Sequence, residues 1–223
     1  MDETAEDIIF NNNGECNYCS DFISAYLLDA PHENKVKAII QKIKDDGVNK
    51  AYDCIVGVSG GVDSSYVLSL AVEYGLRPLA VHLDNGWNSD LAVSNINNLV
   101  TKLNVDLYTH VIEWKENKDL QRSFISADVV DIELLMDNAM LAMNYRLAKK
   151  YKLKYILSGS NAATEGMKMP KSWNWLKFDA RNIMAIHKKY GNSKIKTHKL
   201  ISLTGFLCNR FYHKIDWMPF LDY

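Results

Sequence analysis

The chain has 223 residues, 48% of them hydrophobic, enough for the core of one large domain. Its 26 Lys and Arg against 27 Asp and Glu leave a net charge of −1, which gives no electrostatic case for a nucleic acid or an anionic membrane as partner. No apolar run approaches the about 20 residues of a membrane span, and four cysteines at irregular spacing without a signal peptide point to a reducing cytoplasm.

Residues 1–33 read as a separate N-terminal segment. Within it FNNNGECNYCSDF carries Cys16 and Cys19, a C-x-x-C knuckle of the kind that binds zinc. A structural zinc site wants four ligands, so this pair makes an incomplete one. Cys54, in a predicted strand, and Cys208, in the tail, are not obvious replacements, and a pair without metal is an equal alternative. The main domain is read as 34–223. Residues 34–46 (ENKVKAIIQKIKD) predict an amphipathic helix, and Ile55, Val56 and Val58 a short buried strand.

Ser59-Gly60-Gly61-Val62-Asp63-Ser64-Ser65 follows that strand, and from Tyr66 apolar residues recur with helical spacing up to Gly75. Two glycines allow positive φ and a close approach of backbone, while the hydroxyls and a helix N-terminus supply anion ligands. The spacing is neither a Walker A loop nor G-x-G-x-x-G. A plain glycine turn with Asp63 as the helix N-cap is the competing reading.

Pro78 to Leu83 predicts a second strand ending in Asp84-Asn85-Gly86, and 90–103 a helix. Val105 to Ile112 predicts a third strand, 130–151 a long helix, and Lys154 to Leu157 a fourth strand ending in Ser158-Gly159-Ser160-Asn161. Alternating elements of this kind predict an α/β fold with a doubly wound parallel sheet, Rossmann-like, binding ligands at the carboxyl ends of its strands. Leu83, Asp84 and Asn161 therefore join Ser59, Gly60, Gly61, Asp63, Ser64 and Ser65 as candidate ligand-binding residues.

SGGVDSS resembles the PP-loop of the ATP pyrophosphatases, the group holding GMP, NAD and asparagine synthetases and the tRNA-thiolating enzymes. The resemblance implies a fold of the adenine nucleotide α-hydrolase type and a loop that grips the pyrophosphate end of ATP with Mg²⁺. A substrate oxygen then attacks the α-phosphorus. Further stretches are similar to the N-acetyl sugar amidotransferases of surface-polysaccharide, including lipopolysaccharide, and nonulosonic-acid pathways. They are SADVVDIELLMDNAM, YILSGSNAATEGMKMPKSWNW, DARNIMAIHKKYG and GLRPLAVHLDNGWNSDLAVSNINNL. That resemblance implies conversion of a sugar acetamido group to acetamidino, with ammonia displacing AMP. It also implies longer chains, with a second cysteine pair upstream and more sequence beyond Tyr223, so a shortened chain or a split gene is expected.

Neither Cys16, Cys19, Cys54 nor Cys208 sits in a glutaminase context, being neither at a mature N-terminus nor on a glycine-flanked elbow. The resemblance supplies ammonia from a separate glutaminase subunit. Asp63, Ser64 and Glu165 are the catalytic candidates, Glu165 on the acceptor side. Glu133 and Asp137, at i and i+4, offer a Mg²⁺ or substrate role or simply a solvated face. Lys168, Lys171, Lys177 and Arg181 alternate with Trp173, Trp175 and Phe178, either to bind a nucleotide-sugar or phosphates, or as solvated lysines over buried tryptophans. His82 is expected to pack in or beside its strand. The other function classes are a PP-loop tRNA-modifying enzyme, disfavoured by the absence of a basic tract, and a non-catalytic nucleotide-binding subunit.

Overall fold

A computed structural model describes residues 1–26, 33–161, 165, 166, 168–170, 173 and 175–222. Five parallel strands form one sheet in the order β3-β2-β1-β4-β5. They are β1 (Cys54–Gly57), β2 (Pro78–Asp84), β3 (Leu107–Val111), β4 (Tyr155–Ser158) and β5 (Asp216–Pro219). The helices include α1 (Asn17–Tyr26), α2 (Glu33–Gly47), α3 (Val62–Glu73), α4 (Asp90–Leu103), α5 (Trp114–Ser126) and α6 (Leu134–Lys150). α7 (Ala180–Tyr190) and α8 (Leu203–Leu207) follow.

The strands are short apolar runs because helices cover both faces of the sheet. Cys54 and Val56 of β1 pack with Val67, Leu68 and Ala71 of α3 and Ile40 and Ile43 of α2. Ile55, between them in sequence, points the other way and packs with Ala142, Met143, Leu147 and Ala148 of α6. That alternation is the period-2 geometry of a strand. Burying one side chain the size of Leu68 or Ile55 stabilises the fold by about 1.5–3 kcal/mol. α4 is set by its ends: Ser89 Oγ accepts the Ala92 N–H at 3.1 Å, and Asn104 takes the left-handed conformation that stops the helix.

Three elements differ from the sequence expectation. The helix expected over 130–151 starts only at Leu134. Asp128 ahead of it takes a φ of +53°, and Asp131 is held in an ion pair with Lys177. α5 arises from a charged stretch that contributes only Leu120 and Phe124 as buried apolar residues, packed with Ile183 of α7. β5 comes from the aromatic tail and takes an edge position, where Pro219 can end a strand without leaving a ladder donor missing.

The chain runs outward from β1 through β2 to β3 and then returns to place β4 on the other side of β1. The connection reverses between β1 and β4, so a crevice opens at their carboxyl ends. The glycine loop follows β1, and Ser158-Gly159-Ser160 closes β4.

Candidate functional site at the switch point

Gly60 has a φ of +81°, and a Cβ there would stand 2.6 Å from the carbonyl oxygen of Ala92, so only glycine fits. The loop is laced by its own hydroxyls. Ser59 N–H donates to Ser64 Oγ at 3.2 Å, Gly61 N–H to Ser59 Oγ at 3.3 Å, and Ser65 Oγ to Gly61 O at 2.7 Å. Asn95 of α4 fastens the loop from outside by donating to Gly60 O. The N-cap of α3 is Gly61, and no side chain caps the helix; Asp63 lies in its first turn and is not the cap. The first amides of an α-helix have no acceptor within the helix and carry its positive pole. An uncapped twelve-residue helix facing a crevice fits an anion such as a phosphate.

The end of β2 is tied to this loop by a chain of polar groups. Asp84 Oδ1 accepts from Gly86 N–H and from Asn88 Nδ2, both at 3.0 Å. That orients Asn88 so that Nδ2 also donates to His82 Nε2 at 3.2 Å. The other ring nitrogen, Nδ1, then carries the proton and donates to Val58 O at 3.0 Å. His82 is buried beside its strand, as its sequence position suggests, and it joins the start of the loop to the turn after β2.

From the other side, Gly159 lies so close that a Cβ would stand 2.9 Å from Ser64 N and 3.0 Å from Asp63 C. Ser158 and Ser160 pair through their hydroxyls at 2.7 Å. α6 forms the remaining wall, and the open cavity measures about 690 Å³. Lys177 stands at this wall with Nζ 2.8 Å from Asp131 and 2.9 Å from Asp137. Burial opposes its charge, but the hydrogen bonds to the two carboxylates outweigh burial and hold its pKa above the ordinary lysine value.

Ser59, Asp63, Ser64, Leu83 and Glu165 line the cavity, as do Glu133 and Asp137. Gly60, Gly61 and Ser65 shape the loop behind them, the Asp84 carboxylate bonds within its turn, and Asn161 lies past β4, its carbonyl accepting the Glu165 N–H at 3.0 Å. Lys171 lies outside the described residues. Trp173 and Trp175 are exposed by 37% and 53%, so they are not buried beneath lysines. Asn88, Asn144, Met140 and Trp217 also line the cavity and were not singled out from sequence. The signal for Asn144 was a lone amide in the apolar run LLMDNAMLAMNYRL.

Among the described residues, no three or more His, Cys, Asp or Glu come together to hold a metal ion. Cys16 and Cys19 bring their sulfurs to 3.3 Å, with the Cys19 N–H pointing at Cys16 Sγ. Two thiols do not make the four-ligand set of structural zinc. Mg²⁺ has a different requirement, one or two carboxylates together with phosphate oxygens. Asp63, in the first turn of α3, and Glu165 line the same cavity and are carboxylates of that kind, whereas Asp137 is engaged by Lys177.

Behind the site, α5 pins the 192–198 segment. Glu116 Oε2 accepts three backbone N–H groups, from Lys196, Thr197 and His198, and Asp119 accepts those of Asn192 and Ser193. Burial alone would raise both carboxyl pKa values, yet these bonds hold them below the ordinary range. His198 is buried, with neither ring nitrogen hydrogen-bonded among the described residues. Burial lowers its pKa from 6.5 to about 4, with Glu116 opposing and His110 reinforcing the shift. The unfolded chain therefore binds more protons at His198 between about pH 6.5 and 4, and stability falls as pH drops through that window. The two carboxylates act with the same sign at lower pH. The melting temperature should fall from pH 7 to pH 5, and less steeply in His198→Leu; equal slopes would remove His198 from the explanation.

The NAD synthase family matches residues 32–193 of this chain. No curated protein matches the sequence. Among solved structures, NMN synthetase from Francisella tularensis is 18% identical, with 83% of this chain and 72% of that chain covered and a TM-score of 0.44. NH3-dependent NAD synthetase from Campylobacter jejuni, in complex with the nitrate ion, is 16% identical, covering 71% and 73%, with a TM-score of 0.45. Glutamine-dependent NAD+ synthetase from Acinetobacter baumannii, in complex with ADP, is 19% identical, covering 62% of this chain and 28% of that one, with a TM-score of 0.46. The family match takes in well over half of the chain, which belongs to the NAD synthase family, enzymes of the PP-loop ATP pyrophosphatase type that use ATP and Mg²⁺ for amidation.

Proposed function

We propose that this enzyme amidates an acetamido group on a sugar, giving an acetamidino group. The acetamido oxygen attacks the α-phosphorus of ATP, and the bond to pyrophosphate breaks. Ammonia adds to the activated carbon, and AMP leaves with the former amide oxygen. An amide carbonyl is a poor electrophile until its oxygen becomes such a leaving group. Backbone amides at the start of α3 and the Ser59 and Ser64 hydroxyls would hold the phosphates, stabilising charge that grows as pyrophosphate leaves. Asp63 and Glu165 would hold Mg²⁺, which when bound would supply positive charge for the departing pyrophosphate. The observation that carries the reading is the cavity itself, where an uncapped helix N-terminus meets the ends of β1, β2 and β4 and a long wall of α6. The sugar acceptor is supported by the sequence resemblance over SGSNAATEG and the stretches around it.

Ammonia would come from a separate glutaminase subunit. Cys54 is buried, with its thiol pushed up by burial, and neither Cys16, Cys19 nor Cys208 borders the cavity. Family membership supports a second reading, amidation of a carboxylate. Pyrophosphate release with ATP and ammonium separates the two. Acetamido nucleotide-sugars should drive it, and glutamine should not do so with this chain alone. Release driven only by nicotinic acid mononucleotide, or by tRNA, would overturn the sugar reading.

A further inference from the structure

Glu133, the N-cap of α6, and Asp137, Met140 and Asn144 within the helix line the cavity at about one residue per turn. Asn144 is 1% exposed, and neither its Oδ1 nor its Nδ2 has a hydrogen-bond partner among the described residues. Its amide lies against the end of β1: a Cβ added to Gly57, two residues before Ser59, would stand 3.4 Å from Nδ2. Its neighbours on α6 that line the same cavity, Met140, Leu141 and Met143, are apolar. A buried polar group left unpaired costs about 1–3 kcal/mol, and both halves of this amide are unpaired. Nearly all buried polar groups in folded proteins are satisfied; Asn144, unlike the equally unpaired His198, lines the cavity, where a ligand can complete it.

We infer that Asn144 is the residue that recognises and orients the acceptor amide. The inference rests on the acetamido reading above. In an acetamido group the N–H and C=O point in opposite directions. An acceptor whose N–H donates to Asn144 Oδ1 therefore turns its carbonyl oxygen away from α6, towards the loop and the start of α3. Accepting that N–H also raises electron density on the carbonyl oxygen, the atom that must attack phosphorus. Nδ2 remains to donate to an adjacent hydroxyl or ring oxygen. A carboxylate has no N–H to offer, so it would leave Oδ1 unpaired. Asn144 thus selects neutral secondary amides over carboxylates.

The test uses the whole chain with ATP, ammonium and a panel of UDP- and CMP-linked acetamido sugars, with nicotinic acid mononucleotide as the carboxylate probe. Asn144→Leu, similar in size, should raise the KM for the acetamido sugar at least tenfold while leaving ATP affinity within twofold. Its melting temperature should be equal or higher, because the unpaired amide is gone. If leucine prevents folding, Asn144→Ser, too short to reach the ligand, should show the same KM and ATP pattern. Wild-type turnover of an acetamido sugar with an unchanged KM in the variant would overturn the inference and leave the sugar reading standing. Wild-type turnover of nicotinic acid mononucleotide alone would overturn both, and the wild-type protein shows that without any variant.

Discussion

Gly61→Val is expected to lose at least about a hundredfold in ATP affinity, about 2.7 kcal/mol, with little change in melting temperature. Gly61 sits at φ −81° and ψ 170°, a region valine occupies without strain. The nearest atom to an added Cβ is Ser59 Oγ at 3.3 Å, a hydroxyl that can turn aside. The fold therefore accepts the side chain. Phosphate binding is expected not to, because a branched side chain at the N-cap would crowd the uncapped amides that follow it in α3. Calorimetry with ATP and Mg²⁺ on the folded variant reads the effect directly. Unchanged affinity would show that the start of α3 does not hold the phosphates.

Gly159→Ala acts from the opposite wall and through the protein. Its Cβ would stand 2.9 Å from Ser64 N, 3.0 Å from Asp63 C and 3.1 Å from Ser64 Cα. These are backbone atoms and cannot rotate away, so β4 and α3 must separate at the point where the loop is built. Overpacking of this kind costs about 1–3 kcal/mol. The expected result is a lower melting temperature together with at least a tenfold loss of ATP affinity. The two glycines thus give different signatures, loss of binding alone for Gly61 and loss of both for Gly159. A Gly159→Ala protein with wild-type stability and affinity would mean that β4 does not brace the loop.

The inner strands were legible because Ile55, Val56, Leu79, Ala80, Val81, Ile156 and Leu157 lie in short apolar runs, the mark of strands covered on both faces. β5 was not legible. Four residues ending in Pro219 carry no strand signal, and only pairing with β4 makes them one. α5 was hidden by its charge. Its acidic residues Glu116 and Asp119 are used inward, to hold the backbone of 192–198, against the rule that charges face solvent.

The site divides in the same way. The loop after β1 carries its own signature, since Gly60 and the serines have local conformational and hydrogen-bonding duties that sequence spacing exposes. Glu133 and Asp137 were recognisable as one helical face, but the pairing of Asp137 with Lys177, forty residues on, depends on tertiary structure. Asn144 was the least visible. A polar residue in an apolar helix has no local mark to separate a ligand contact from a buried hydrogen bond, and only the missing partners distinguish it.

The central claim is that an amide oxygen attacks the α-phosphorus of ATP and leaves with AMP. The most direct measurement uses an acetamido nucleotide-sugar labelled with ¹⁸O in its acetyl carbonyl, with ATP, Mg²⁺, ammonium and this chain. The account predicts AMP heavier by one ¹⁸O, unlabelled pyrophosphate, and an amidine product that has lost the label. Unlabelled AMP, or ADP and phosphate as the products, would contradict it.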